Sequence, residues 1–170
     1  EVSVTSSSTV TTTYDAATGY KLQVHTANAD GSADNKVYAN GVLMKDNVLH
    51  TDGSSEVYVY NIAGQAYTST HQVTDASGKV TLIERFHSDG SYQYKVTYNA
   101  DGSKVYDYYT NAGVRSSEVV VTSTATATTT YDTATGNKLV VYTAYVGGGA
   151  DNKVYTNGVL MKDNVLHKDG

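Results

Sequence analysis

The chain has 170 residues, a formal net charge of −5, and neither cysteine nor proline. The missing cysteine excludes disulfides and thiolate-bound metals, and 12 scattered Lys and Arg leave no electrostatic footprint for nucleic acid or an anionic membrane surface. No apolar run approaches the ~20 residues of a membrane-spanning helix, so no membrane insertion is expected.

Glycine punctuates the chain in order at 19, 31, 41, 53, 64, 78, 90, 102, 113, 136, 147–149, 158 and 170, mostly 10 to 14 residues apart. The local strings (TG, ADG, NG, TDG, SGK, SDG) are turn chemistry, with glycine where the backbone needs a positive φ. Asn40-Gly41 predicts a two-residue type I′ turn with Tyr38 opposite Leu43. Val57 and Val59 alternate with Tyr58 and Tyr60, so both faces of that segment carry bulk. The loop Ser88-Asp89-Gly90 predicts a three-residue hairpin with Phe86 opposite Tyr92. Ser91–Asn99 alternates with period two, as in a half-buried strand. Ala100-Asp101-Gly102 repeats the three-residue loop and sets Tyr98 opposite Lys104, Val96 opposite Tyr106, Tyr94 opposite Tyr108 and Lys95 opposite Asp107. Together these registers place Val80, Leu82, Phe86, Tyr92, Tyr94, Val96, Tyr98, Tyr106 and Tyr108 on one side. Asn157-Gly158 repeats the type I′ turn and sets Tyr155 opposite Leu160.

No segment shows a helical period. The fold expected is all-β: an elongated antiparallel β-hairpin meander, built as a repeat array. A β-solenoid with coils of two glycine steps fits the same alternation and stands as the alternative.

Residues 1–53 return at 118–170, with 39 of 53 positions identical after a shift of 117. The domain organisation read from this is one full unit over 1–117 and the first 53 residues of the next over 118–170. An array cut mid-unit would leave the segment with Val159, Leu160, Val165 and Leu166 beside an unpaired edge, which recruits another strand. Neighbouring units or other copies of the chain are therefore the expected partners. Tandem units serve extended surfaces more often than single catalytic centres.

Few residues suggest chemistry. Asn28, Asp30, Ser32 and Asp34 space oxygens as a short calcium loop does, and Asp30 and Asp34 are the candidate ligands. The second copy has Tyr145, Gly147 and Gly149 in place of Asn28, Asp30 and Ser32. The five histidines form no His-x-His or His-x-x-x-His pair; a two-residue Ser77-Gly78 turn would set His71 across from Glu84 as a cross-strand polar pair. No nucleophile elbow, phosphate loop or zinc spacing is present, so no enzyme and no cofactor besides calcium is expected. The 16 tyrosines are the side chains most able to recognise a partner. Tyr58, Tyr60, Tyr106, Tyr108 and Tyr109 are the candidate contacts for a polysaccharide or a protein partner.

TTTYDAATGYKL (11–22), TTTYDTATGNKL (128–139) and SDGSYQYKVTYNADGSKVYDYY (88–109) resemble tyrosine–aspartate (YD) repeats. HSDGS, NADGS and TNAG are similar to repeat regions that accompany calcium-binding RTX segments in very large secreted bacterial proteins. The resemblance implies short strands closed by glycine turns in a spiral sheet, and a secreted or surface location outside a bacterial cell. It implies a structural, adhesive or self-assembling segment, or part of a YD-repeat shell. It carries no functional residue with it. The YD spacing lapses over 33–75, and no RTX nonapeptide is present.

Overall fold

The computed structural model describes residues 1–168; Asp169 and Gly170 lie outside the described residues. Its strands are β1 Val2–Val4, β2 Ser8–Tyr14, β3 Lys21–Asn28, β4 Ala33–Ala39, β5 Val42–Leu49, β6 Ser55–Val59, β7 Ser69–Thr74 and β8 Val80–Phe86. They continue as β9 Tyr92–Tyr98, β10 Lys104–Tyr109, β11 Arg115–Val121, β12 Ala125–Tyr131, β13 Lys138–Tyr145, β14 Ala150–Thr156 and β15 Val159–Leu166. Among the described residues there is no helix. Strand order is chain order, in an antiparallel meander. The solenoid alternative falls, because tight reversals join antiparallel neighbours and leave no parallel coil to stack.

The chain divides into two compact units, 1–83 and 84–170, whereas the sequence repeat starts anew at 118. Within each unit, strands touch only their neighbours in sequence. No second layer covers either face, and the burial pattern follows from that. Among the described residues the buried ones are Glu84, Val96, Thr129 and Ala150, all in the second unit. Val96 is only 2% exposed. Its shelter is lateral: Tyr106 lies opposite, and Tyr94 and Tyr98 flank it along β9.

The registers expected across the turns at Gly41, Gly102 and Gly158 hold. Lys104 pairs with Tyr98, Tyr106 with Val96, Asp107 with Lys95 and Tyr108 with Tyr94. Tyr38 faces Leu43 and Tyr155 faces Leu160. Asn40 and Gly41 sit at φ 50° and 79°, and Asn157 and Gly158 repeat those values, as a type I′ turn demands. Around Ala100-Asp101-Gly102, the Asn99 N–H donates to Ser103 O at 2.9 Å and the Gly102 N–H to Asn99 O at 3.1 Å. The same pair of bonds closes the loops at 28–32, 50–54, 75–79, 87–91, 110–114 and 145–149.

One regularity escaped the alternation. Between Thr13 and Tyr14 the partner jumps from Gln23 to Lys21, so Leu22 is an extra residue. Met44, Ser116, Leu139 and Met161 are extra in the same way. Each stands three positions after a turn glycine: 19, 41, 113, 136 and 158. The hairpins β3–β4, β5–β6, β9–β10, β11–β12 and β13–β14 keep an unbroken register. Within each unit the bulges therefore gather at one end of the strands, where they bend the chain and sharpen its twist. The repeat is reproduced in this detail, since β12–β15 carry the bounds and register shifts of β2–β5, moved by 117.

A reset near the turn also corrects one expected face. Tyr108 and Tyr109 are consecutive and point to opposite sides of β10. Tyr94 packs on Tyr108 with ring centres 5.2 Å apart, while Tyr92 packs on Tyr109 at 5.3 Å and on Phe86 at 5.1 Å. Tyr92 and Phe86 thus leave the face that strict alternation assigned them, and the alternation of β8 takes Leu82 and Val80 with Phe86.

Gly113 and Gly102 separate backbone strain from crowding. Both have positive φ, at 72° and 84°. A Cβ on Gly113 would lie 2.7 Å from Ser91 Cβ, whereas one on Gly102 meets nothing within 4 Å. Gly102→Ala is expected to cost about 1–2 kcal/mol from φ alone. Gly113→Ala is expected to cost at least about 1 kcal/mol more, because the Ser91 turn must shift. Urea midpoints of the two variants decide the matter; equal losses would contradict it.

Candidate functional site

In the first unit, β5, β6 and β7 assemble one polar cluster. Tyr58 stands opposite Asp46 on one side and His71 on the other. Its ring stacks on His71 with centres 4.2 Å apart and planes 2° from parallel. Tyr60 extends the row, with ring centres 6.3 Å from Tyr58. Glu56 is gripped from three directions. The Tyr58 hydroxyl donates to Oε2 at 2.5 Å, His71 Nε2 lies 2.9 Å from Oε2, and His50 Nε2 lies 2.9 Å from Oε1. The Tyr58 hydroxyl foremost, helped by the two imidazoles, holds the Glu56 carboxyl below its usual range, against the upward push of burial. Burial, then the Asp46 charge, pushes the Tyr60 phenol up.

The two candidate calcium ligands each have protein partners. Asp30 Oδ1 accepts from Ser32 N–H at 2.9 Å and from the Ser32 hydroxyl at 2.7 Å. Asp34 pairs with Lys36, whose Nζ also reaches Asp46 at 3.0 Å. The second copy repeats the lysine bridge as Asp151, Lys153 and Asp163. Among the described residues no group of three or more His, Asp or Glu is placed to hold a metal. Two aspartates of the YD strings, Asp15 and Asp132, are loop caps. Asp15 Oδ1 accepts from the Ala17 and Thr18 N–H groups, and Asp132 does the same for Ala134 and Thr135. These bonds hold both carboxyls below their usual range.

In the second unit the two faces of β9–β11 are chemically distinct. One carries ions: Lys95 lies 3.5 Å from Glu84, Arg115 lies 2.8 Å from Asp107, and Arg115 also pairs with Glu118. Lys95 and Asp107 face each other in register, yet each is paired elsewhere. The other face carries Tyr94, Tyr98, Tyr106 and Tyr108. Arg85, next to Glu84 on β8 and so on the opposite side, sets its guanidinium 5.2 Å above the Tyr94 ring. Lys104 holds its ammonium 5.6 Å from the Tyr98 ring. An open trough of ≈ 450 Å³ lies here, lined by Arg85, Gln93, Tyr94, Tyr108, Tyr109 and Asn111.

Of the expected contact residues, Tyr58 and Tyr60 sit together in the first unit. In the second, Tyr106 and Tyr108 share the aromatic face, and Tyr109 stacks on Tyr92 across the strand. Sequence reasoning missed the clasp on Glu56, although the three-residue loop rule applied to Thr51-Asp52-Gly53 would have brought Glu56 and His50 close. It missed Arg85 and Gln93 because the reset beside Gly90 changes which side chains meet. Compared with known proteins, the chain matches no family model, and no curated protein is similar to it.

A depressed folded-state pKa stabilises the fold above the unfolded value of about 4.3, and that stability is lost as pH falls through the folded value. Glu56→Gln is therefore expected to lower stability by about 1–2 kcal/mol at pH 7, with the deficit closing below pH ~4. Urea unfolding of both chains across this range provides the measurement. A deficit unchanged down to pH ~3 would show that charge on Glu56 is not the cause.

Proposed function

We propose that this chain is a non-enzymatic structural repeat segment of an extracellular bacterial surface protein, adhesive or self-assembling in role. The observation that carries this reading is the reproduction of β2–β5 in β12–β15, with the same bounds, registers and bulges. A single layer whose strands touch only sequence neighbours grows by adding strands, with no core to close. It also has no second layer against which a deep catalytic cleft could form. The resemblance of the YD and ADGS strings to repeat regions of secreted proteins supports the location, and neighbouring units or further copies are the partners this reading implies.

The test is electron microscopy of a chain of three or more 117-residue units. One period advances by ten strands, from β2 to β12. If the sheet is continuous, each added unit should lengthen a narrow ribbon by roughly 48 Å, ten strand spacings. Separate beads on flexible connections, or compact particles whose longest dimension does not grow with unit number, would overturn the reading.

A further inference from the structure

The aromatic face of the second unit has a composition that pure packing does not require. Across β9, β10 and β11 it carries Tyr94, Val96 and Tyr98, then Lys104, Tyr106 and Tyr108, then Ser117, Val119 and Val121. No carboxylate stands among them. The carboxylates Glu84, Asp107 and Glu118 are drawn to the opposite face and held there by Lys95 and Arg115. Those of the flanking turns are engaged as well, Asp89 by Ser91 and Asp101 by Ser103. In a chain of net charge −5, this surface is aromatic and cationic. Its cations mark both ends of a tyrosine row, Arg85 over Tyr94 and Lys104 over Tyr98. The row follows four residues of β9, roughly 13 Å.

We propose that the trough between Tyr94 and Tyr108 binds a carboxylate-bearing pyranose, one uronate unit of an acidic polysaccharide. Tyr108 is 41% exposed and offers a ring for the apolar face of the sugar. Arg85 shares its guanidinium with the sugar carboxylate, a planar fork meeting a planar acceptor. The amides of Gln93 and Asn111 line the same trough and can both donate to and accept from hydroxyls. Gln93 stands three positions after Gly90, the place where the other hairpins of this kind carry their extra residue. The reset there sends Tyr92 to the far face and leaves Tyr94 beside Arg85. The site gives the adhesive part of the proposed function a ligand, and it rests on that reading.

The probe is a galacturonic acid hexamer, compared with a neutral glucose hexamer by calorimetry on the whole chain. The acidic hexamer is expected to bind at least about tenfold more tightly. Tyr108→Ala should weaken it about tenfold or more, Tyr108→Phe should retain it, and Tyr142→Ala, exposed but outside the trough, should leave it unchanged. Arg85→Gln should bring the acidic hexamer down to the affinity of the neutral one. Amide shifts on titration should centre on Arg85, Gln93, Tyr108 and Asn111, which tests the site even where a variant fails to fold. Absence of binding, equal affinity for both hexamers, or a folded Tyr108→Ala chain that binds like the parent would each overturn the site. An array that still forms ribbons while binding no saccharide loses the site and keeps the structural role.

Discussion

A single β-layer has no interior, so each side chain must find its shelter beside it. Two faces stay open to water, and the hydrophobic gain of a stacked second sheet is absent. What remains is the backbone ladder and the cross-strand pair, the latter contributing only about 0.2–1 kcal/mol each. Large amphipathic residues suit this setting. A tyrosine laid along the sheet covers its neighbours with its ring while its hydroxyl stays wet. Val96 shows the consequence, buried among tyrosines in a sheet with no lid. Valine, tyrosine and threonine dominate the chain for the same reason, and its shortage of leucine and isoleucine follows from having no core to fill.

Because so little energy comes from any one contact, register cannot be left to side-chain packing. The turns impose it. Closing one hydrogen-bonded loop geometry again and again fixes the pairing on both sides of each loop. The Asp-Gly-Ser strings at Asp30, Asp52, Asp89 and Asp101 serve this geometry, as does Asp75-Ala76-Ser77: the carboxylate accepts from the serine N–H and hydroxyl two positions on. These bonds depress the Asp52, Asp75 and Asp89 carboxyls as they do Asp30. The bulges add a second constraint, each three residues after a turn glycine and, within each unit, all at one end of the strands. Confined to one end, they bias twist in one sense instead of cancelling.

The strand comb and hairpin registers were legible because turn chemistry is local. Three residues such as Ala100-Asp101-Gly102 carry enough information to place Lys95 opposite Asp107. The bulges were less legible. Leu22, Met44, Ser116, Leu139 and Met161 share no side-chain chemistry, only a distance from glycine. Without that reset, Tyr92 and Tyr94 read as companions, and the neighbours of both rings come out wrong. The Glu56 clasp lay out of reach for another reason. Its three partners come from β6 itself, from β7 and from the loop after β5, and alternation on one strand says nothing about such convergence. The tyrosines stood out in the sequence as candidate contacts, but the cation beside them did not, since Arg85 is a single basic residue on a strand read for its apolar face.

The two copies of one turn show what the array demands of its residues. At 28–34 the loop is polar: the Asn28 amide donates to the Ser32 hydroxyl, and Asp30 braces Ser32. At 145–151 those three side chains are replaced, and the Tyr145 hydroxyl donates to Asp151 at 2.7 Å instead. The backbone is nonetheless closed the same way. Asn28 N–H to Ser32 O measures 2.9 Å and Tyr145 N–H to Gly149 O 3.2 Å, while Gly31 and Gly148 keep φ at 90° and 91°. Two chemistries thus satisfy one geometry, so what this position needs is the loop shape. The lysine bridges Asp34–Lys36–Asp46 and Asp151–Lys153–Asp163 behave differently, since residue types and pairing both persist. They lie mid-strand, where each lysine faces an aspartate of the next strand in register, Lys36 with Asp46 and Lys153 with Asp163. In a layer without a core, a charge in the middle of a strand must be balanced across the ladder, and that requirement constrains the sequence where the turns leave it free.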